Sequence, residues 1–200
     1  MLHRTAKRFI DVAGAAIGIA AIAPLAPLIA AAIAFESRGP VIVRLDRVSQ
    51  GKTIRVYKFR SMVLGAEGLK PSLGHLNERL DGPFFKIKKD PRITKVGLFL
   101  RKFRLDEFPQ LVNVLAGDLS LVGPRPHAPG EVARYPKDYA PIALARAGVT
   151  GLSQVSGASS LPFLAELELD RAYLEKQSLL LDAKIIGKTL AILFFDPTAV

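Results

Sequence analysis

Residues 12–35 read VAGAAIGIAAIAPLAPLIAAAIAF, an apolar run of 24 residues without a charged or polar side chain. Because about 20 helical residues cross the hydrocarbon core of a bilayer, the run predicts a membrane segment. Pro24 and Pro27 lie near its middle. A proline inside a helix removes a backbone hydrogen bond and clashes with the preceding turn, so the sequence predicts two helices with a break at these prolines.

Basic residues flank this run on both sides. They are Arg4, Lys7 and Arg8 before it, and Arg38, Arg44, Arg47, Lys52 and Arg55 after it. Segments rich in Lys and Arg stay on the cytoplasmic side of a membrane, so a straight span would leave one basic flank on the wrong side. We therefore interpret residues 5–36 as a re-entrant hairpin that bends near Pro24 and leaves both termini on the cytoplasmic side of the membrane.

Three other interpretations of the run are open. A straight span with a kink is compatible, because neighbouring helices can satisfy the freed carbonyls. A secretory signal has a basic start and small residues at its cleavage site, as in Ala32-Ile33-Ala34, but this run is long for a signal and Asp11 lies at its start. A buried core helix fits least, because the run is uniformly apolar.

The remaining chain predicts an α/β domain that is mostly helical, with a short β-hairpin. Residues 39–62 alternate between apolar and polar side chains around a turn at Ser49–Lys52, which is the pattern of a hairpin. Residues 92–104 predict a basic amphipathic helix, which can lie in a membrane interface or, alternatively, on the surface of a soluble domain. Helical periodicity predicts one helix over 106–116 and two over 162–195.

Length and charge set the domain count and the partners. Two hundred residues fit one domain with an appendage, which we divide into a membrane hairpin (1–38) and a compact second domain (39–200). The net charge of +10 predicts a polyanionic partner: nucleic acid, an anionic membrane or a phosphorylated substrate. The chain has no Cys, which excludes disulfides, Cys-ligated zinc and a Cys nucleophile. It has no Trp, which disfavours an aromatic platform for single-stranded nucleic acid.

An acidic pair, Asp106-Glu107, lies in the most basic stretch of the sequence, directly after Arg101, Lys102 and Arg104. Acids at a helix start are commonly partners of the helix dipole. Alternatively, adjacent carboxylates point in different directions, so that one can hold Mg²⁺ together with substrate phosphate while the other attacks. The neighbouring cations would keep the attacking carboxylate ionised.

Three further cations are candidates for binding phosphate. Lys58 and Arg60 alternate on the second predicted strand and so would share one face. Arg125 lies between two prolines, which prepares its guanidinium for a bidentate phosphate contact. Each of these residues alone is more often a surface charge. The sequence contains neither a P-loop nor a nucleophile elbow, and its histidines lack metal-ligand spacing.

Several motifs together resemble one family. These are a KR-x-x-D start (7–11), KFRSM (58–62), LRKFRLDEFPQLVNVLAGDLSLVGPRP (100–126) and GVTGLSQVSG (148–157). Along with the proline-broken run, they resemble the bacterial sugar transferases known as small monotopic phosphoglycosyl transferases. The similarity extends over nearly the whole chain.

The resemblance implies an enzyme that moves a phospho-sugar from a nucleotide diphosphate sugar, usually a UDP-sugar, to polyprenol phosphate. The products would be polyprenyl-diphosphate-sugar and UMP, in the first membrane step of exopolysaccharide, O-antigen, capsule or glycoprotein assembly. Asp106 would be the nucleophile that forms a covalent phospho-sugar intermediate, which gives ping-pong kinetics. Glu107 would bind the Mg²⁺ cofactor, and residues 39–200 would be the catalytic domain.

The same resemblance assigns further residues and partners. The phosphate-binding cations match Lys58, Arg101 and Arg125, to which the strand pattern adds Arg60. Pro24 or Pro27 would lie at the membrane break. The partners would be a UDP-sugar, polyprenol phosphate and inner-membrane lipids, without nucleic acid. A homodimer is a further expectation, since the family includes dimers.

The sequence departs from the family pattern within and directly after its fourth motif, GVTGLSQVSG (148–157). Ala158 stands where the family often carries Arg, and Leu152 and Ser153 replace common aromatic residues. These changes bear on the choice of sugar or nucleotide, not on the acidic pair.

A different class of function is the alternative. A membrane-tethered basic module that binds RNA or anionic lipid, without catalysis, would also account for the charge and the apolar run. It would not account for an acidic pair among arginines.

Overall fold

A computed structural model describes residues 2–157 and 160–195. Its α-helices are α1 (Leu2–Ile22), α2 (Ala26–Glu36), α3 (Lys95–Lys102), α4 (Gln110–Ala116), α5 (Pro129–Val132), α6 (Leu152–Val155), α7 (Phe163–Glu175) and α8 (Leu179–Phe195). Its strands are β1 (Ile42–Ser49), β2 (Lys52–Phe59), β3 (Ser120–Val122) and β4 (Gly148–Thr150). Turns of 3₁₀-helix cover Pro71–Leu76, Leu105–Glu107 and Lys137–Leu144.

The apolar run forms two helices with a sharp bend. The axes of α1 and α2 meet at 63°. Pro24 lies in the break itself, whereas Pro27 is already in the first turn of α2, where its missing N–H removes no helical hydrogen bond. The predicted break is therefore confirmed and belongs to Pro24. Within the described residues no single helix has the length and apolarity to cross a membrane, while this bent pair has both.

Polar side chains near the start of α1 bind the rest of the fold. Lys7 Nζ donates to Asp182 Oδ2 at 2.7 Å, which joins the first helix to the last. Arg8 donates to two backbone carbonyls at the end of α4. The buried carboxylate of Asp11 accepts from Ser120 Oγ at 2.8 Å. These bonds cross the division predicted at residue 38, which stays a prediction.

The predicted β-hairpin is confirmed. Strands β1 and β2 pair antiparallel from Ile42 opposite Phe59 to Ser49 opposite Lys52. Its two-residue turn needs positive φ at both central positions. Gln50 and Gly51 supply these with φ of 55° and 70°.

Helix α3 packs closely on the backbone that follows the hairpin. It begins at Lys95 rather than at the predicted residue 92, because Thr94 Oγ1 caps it by accepting from Gly97 N. The Glu36 carboxylate at the end of α2 also accepts hydrogen bonds from two backbone N–H groups in the first turn of α3. A Cβ atom on Gly97 would lie 1.9 Å from the Ser61 carbonyl oxygen, so this contact requires glycine.

The helix predicted over 106–116 starts later than expected. Helix α4 begins at Gln110, and the acidic pair lies in the preceding 3₁₀ turn. The prediction of two helices over 162–195 is confirmed as α7 and α8. Short strands β3 and β4 pair in parallel and bring the Gly123–Pro126 loop beside α6.

Candidate active site

A cleft of about 1080 Å³ opens between the hairpin, α3 and the loop after β3. Four of the residues singled out from the sequence, in addition to Glu107, contribute to its wall: Lys58, Arg60, Arg101 and Arg125. The structure thus gathers residues that are up to 67 positions apart in the sequence.

The backbone before the acidic pair turns in an unusual way. Arg104 adopts φ of 51°, a left-handed conformation that is uncommon for a residue other than glycine. The turn ends α3 and leads into the 3₁₀ segment that holds the pair. Asp106 is consequently buried, with 6% of its surface exposed, while the Glu107 side chain is 24% exposed and lines the cleft.

Glu107 is an ionised carboxylate. Its Oε1 accepts a hydrogen bond from Lys58 Nζ at 2.6 Å. Burial raises the pKa of Glu107, but the charges of Lys58 and Arg125 outweigh burial and lower that pKa to about 2. The carboxylate therefore stays charged at every physiological pH.

Asp106 has the opposite tendency. Burial raises the pKa of Asp106, the Lys58 charge lowers it, and the neighbouring Glu107 charge raises it again. Two adjacent carboxyl groups with pKa values driven apart are typical of sites where one group reacts and the other holds charge. The expectation that the neighbouring cations lower the pKa of Asp106 is therefore not met. Burial and the charge of Glu107 outweigh the charges of Lys58 and Arg101.

Arg101 and Arg125 both lie on the cleft wall. Arg101 is fixed by a hydrogen bond from its Nε to Ser61 Oγ at 3.0 Å. Arg125 is fixed through its backbone N–H, which donates to Asp170 Oδ2 at 3.3 Å. Both guanidinium groups act electrostatically on the acidic pair, Arg101 on Asp106 and Arg125 on Glu107.

Arg60 has a different environment from the other cations. It lies just beyond the end of β2, and its guanidinium donates to the carbonyls of Ile33, Ser37 and Arg38. These groups belong to the last turn of α2 and the residues after it. These hydrogen bonds show that the Arg60 guanidinium holds the end of α2. Nothing in the structure tests whether Arg60 also contacts phosphate, so that contact stays a prediction.

Sequence analysis missed two residues in the cleft wall, His127 and Gln154. Both are buried, each with 6% of its surface exposed. The one signal for His127 is its position two residues after Arg125. Gln154 lies in the GVTGLSQVSG motif (148–157), but nothing in the pattern of the neighbouring residues assigns it to the cleft.

The departures from the family pattern lie away from the cleft as far as the structure describes them. Leu152 packs in an apolar cluster with α8, and Ser153 donates from Oγ to the buried Asp170 carboxylate at 2.7 Å. Neither of the two contributes to the described cleft wall. Ala158 falls outside the described residues.

The Glu107 carboxylate in the cleft wall suits a magnesium ion. Within the described ranges no three acidic or histidine side chains are grouped to hold a metal. Mg²⁺, however, binds through one or two carboxylates together with substrate phosphates. The charged, partly exposed Glu107 carboxylate fits that requirement.

Comparisons with known proteins point in one direction. The sequence model described as bacterial sugar transferase matches residues 2–196. The galactosyl transferase CpsE of Streptococcus agalactiae is 40% identical over 199 residues, which are 98% of this chain and 44% of CpsE.

Two further relatives carry more explicit names. The undecaprenyl-phosphate galactose phosphotransferase of Salmonella typhimurium is 44% identical over 155 residues, 76% of this chain and 33% of that protein. The UDP-glucose:undecaprenyl-phosphate glucose-1-phosphate transferase of Klebsiella pneumoniae is 37% identical over 202 residues, 96% of this chain and 41% of that protein. The chain thus spans less than half the length of each of these three relatives.

Proposed function

The chain belongs to the bacterial sugar transferase family, and from this premise we propose that it moves a phospho-sugar from a UDP-sugar to undecaprenyl phosphate. The products would be undecaprenyl-diphosphate-sugar and UMP. The names of the Salmonella and Klebsiella relatives support this choice of donor and acceptor. The reaction would start glycan assembly at the cytoplasmic face of the inner membrane.

The observation that carries the proposal is a cation-lined cleft with Glu107 in its wall and the preceding residue, Asp106, buried. Glu107 is held ionised against Lys58 at 2.6 Å, while the adjacent Asp106 is buried. A site for a diphosphate needs fixed positive charge, which Lys58, Arg101 and Arg125 supply. A non-catalytic module for RNA or anionic lipid needs the cations but not a buried carboxylate among them, so we favour the enzyme.

In the first step, an Asp106 carboxylate oxygen attacks the phosphorus that carries the sugar. A bond forms between that oxygen and phosphorus, and the bond from this phosphorus to the bridging oxygen of the diphosphate breaks. UMP departs with the bonding electron pair. Lys58, Arg101 and Arg125 stabilise the negative charge that develops on the phosphoryl oxygens and on the leaving phosphate.

In the second step, a phosphate oxygen of undecaprenyl phosphate attacks the same phosphorus and the Asp106 carboxylate leaves. Each displacement is balanced without an added proton or electron. Burial of Asp106 protects the acyl phosphate intermediate from water between the two steps. A Mg²⁺ ion held by Glu107 and the substrate phosphates would neutralise phosphoryl charge.

The bent helix pair supports a location at the lipid surface. Large apolar side chains on α1, α2 and α3 are exposed rather than packed: Phe9 75%, Ile17 71%, Leu28 68%, Phe35 92%, Leu98 59% and Phe99 57%. An exposed apolar surface of this kind indicates contact with a membrane or a partner. We propose that the pair enters and leaves by one face, which brings the cleft to the depth of the lipid phosphate.

The test is to trap the first step. The wild-type protein in detergent is incubated with Mg²⁺ and UDP-galactose or UDP-glucose, without lipid acceptor. We expect stoichiometric release of UMP and a hexose-phosphate adduct on the peptide that contains Asp106, detected by mass spectrometry.

Asp106→Asn is the matched control, because it keeps the shape of the side chain and removes the nucleophile. We expect this variant to fold and to give neither adduct nor UMP. Turnover of wild type without any covalent adduct, or full activity of Asp106→Asn, would overturn the mechanism.

A further inference from the structure

In the cleft wall, Arg60 Nε, His127 Nε2 and Gln154 Oε1 are buried polar atoms without a hydrogen-bond partner among the described residues. The Arg60 guanidinium is otherwise bonded to the carbonyls around the end of α2, so His127 and Gln154 are the candidates for contact with a ligand. Buried polar atoms are nearly always paired, and an unpaired one costs about 1–3 kcal/mol. Their positions in the wall of a substrate cleft therefore point to bound ligand groups as their partners.

The proton on the His127 ring can be assigned from its other nitrogen. Nδ1 lies against the Tyr135 hydroxyl, and burial raises the pKa of Tyr135, so this hydroxyl keeps its proton. No other acceptor for that proton is found among the described residues. The hydroxyl therefore donates to Nδ1, and the ring proton lies on Nε2, which makes Nε2 a donor toward the ligand.

The surroundings of His127 indicate an anionic ligand. Burial, and after it the charges of Arg125 and Arg47, lower the pKa of His127, so the ring stays neutral. Both arginines line the same cleft. An N–H donor beside two guanidinium groups matches a phosphate oxygen.

Arg125 also relates this donor to the reacting phosphorus. Arg125 lies two residues before His127 in the chain, and it lines the cleft together with His127 and Glu107. A phosphate at His127 would accordingly be the neighbour of the one at the acidic pair. In a nucleotide sugar that neighbour is the phosphate that leaves with the nucleoside.

Gln154 presents the opposite kind of atom. Its Nε2 donates to the Val149 carbonyl at 2.9 Å, which identifies the other amide atom as oxygen, an acceptor. The loop of Arg125 is held against β4, the strand that leads into α6, because Gly148 N donates to the Pro124 carbonyl at 2.8 Å. A buried amide oxygen next to a phosphate site suits a hydroxyl donor, which a ribose provides.

We propose that His127 and Gln154 bind the nucleoside monophosphate half of the donor substrate. His127 Nε2–H donates to the departing phosphate, and Gln154 Oε1 accepts from a ribose hydroxyl. This inference rests on the proposed function, since it takes the ligand to be a nucleotide sugar.

Calorimetric titration of the detergent-solubilised protein with UMP and with uridine tests the phosphate contact. We expect His127→Phe to weaken UMP binding by about tenfold or more, the size of a lost hydrogen bond to a charged group, and to leave uridine binding unchanged. His127→Gln retains a side-chain N–H donor and should recover part of the affinity.

The outcomes separate this inference from the proposed function. A wild type that neither binds UMP nor releases it from UDP-sugars would remove the proposed function. A wild type that does both, together with unchanged UMP affinity in His127→Phe, would overturn the inference alone. Equal losses for UMP and uridine would contradict the phosphate assignment.

The ribose contact is tested by a thermodynamic cycle that combines a substitution in the protein with a change in the ligand. Gln154→Met and a UMP that lacks its ribose hydroxyls should each weaken binding by about two- to tenfold, the range for a neutral hydrogen bond. Combined, they should weaken binding no more than either change alone. Additive losses would overturn the assignment of Gln154.

One further measurement uses only the wild-type protein, so it does not depend on whether a variant folds. In ¹⁵N-histidine-labelled wild type, the His127 ring should show a protonated Nε2 whose resonance shifts when UMP binds. Uridine should cause no such shift. A protonated Nδ1, or a ring unaffected by UMP, would contradict the proposal.

Discussion

Two adjacent carboxyl groups, Glu107 in the cleft wall and the buried Asp106 before it, have pKa values that move in opposite directions. The cause is position: Asp106 is enclosed by protein, whereas Glu107 meets the Lys58 ammonium at 2.6 Å. One lysine influences both groups, since its charge lowers the pKa of each. The pH response of the site therefore depends on Lys58.

We predict that Lys58→Met moves the acid limb of kcat/KM to higher pH. Removing the ammonium raises the pKa of Asp106 further, so a smaller fraction of the nucleophile is ionised at a given pH. A shift of one pH unit corresponds to about tenfold lower activity on that limb. The measurement is the pH profile of UMP release.

Lys95→Met is the matched control, because Lys95 is an exposed cation at the start of α3 and does not line the cleft. Its loss changes the total charge equally but should leave the acid limb in place. An unshifted limb in Lys58→Met would contradict the electrostatic role of Lys58.

A second prediction concerns Asp170, which holds the backbone of Arg125. Burial raises the pKa of Asp170 to about 7, above the ordinary value of 3.8. Between pH 4 and 7 the folded protein therefore binds more protons than the unfolded chain, and its stability falls as the pH rises through this window. Asp170→Asn removes this dependence.

The measurement is thermal unfolding of both proteins in detergent between pH 4 and 8. Wild type should lose up to about 4 kcal/mol relative to Asp170→Asn across the window. Parallel stability profiles would show that Asp170 titrates normally.

At the scale of elements, α3 links the bent helix pair to the site. Its first turn is capped by Glu36 of α2, and Arg101 in its last turn is held by Ser61. Gly97 lies between these two connections, in contact with the Ser61 backbone. The position of Arg101 therefore depends on how closely α3 approaches that backbone.

We predict that Gly97→Ala destabilises the protein by about 1–3 kcal/mol, the range for inserting a group into a packed contact. The added Cβ would lie 1.9 Å from a carbonyl oxygen, so α3 must move and the bond between Arg101 and Ser61 is lost. Turnover should fall as well. Thermal unfolding and UMP release measure the two effects.

Gly187→Ala provides the control, because a Cβ on Gly187 in α8 meets nothing within 4 Å. That change should be neutral or stabilising by up to about 1 kcal/mol through helix propensity. Equal effects of the two substitutions would contradict the close-contact argument.

The elements that sequence patterns predicted are those fixed by local chemistry. The helix break follows from Pro24, and the hairpin from strand alternation around Gln50-Gly51. Strands β3 and β4 were not predicted, because each has three residues and they pair across a long separation. The start of α4 was misplaced, since Pro109 fits the first turn of a helix as well as the position before it.

The same distinction applies to the site. Asp106 and Glu107 were identified because an acidic pair among cations is visible along the chain. The partners of Arg60 were not, because backbone carbonyls of another helix leave no trace in the residues around it. His127 and Gln154 were missed because their relevance lies in unpaired atoms, which depend on the folded arrangement.

At the scale of the whole molecule, the topology of the bent pair is the feature that sets where the cleft lies. We predict that both ends of the chain are on the cytoplasmic side. The natural chain has no cysteine, so a single introduced thiol is labelled without background.

The experiment uses an added N-terminal cysteine tag and, separately, Lys176→Cys on an exposed site after α7. In spheroplasts, a membrane-impermeant maleimide should label neither thiol until the membrane is permeabilised. Labelling of the N-terminal tag alone from outside would mean a straight span and would refute the re-entrant hairpin.

The anchoring of α1 fixes the distance between the folded domain and the bend at Pro24. Lys7, Arg8 and Asp11 lock one end of this helix to the folded domain, and the other end carries the bend. A residue inserted between Asp11 and Pro24 would lengthen the helix by about 1.5 Å and rotate everything beyond it by about 100°. Such an insertion would therefore change the distance from the folded domain to the bend and the direction of α2 at the same time.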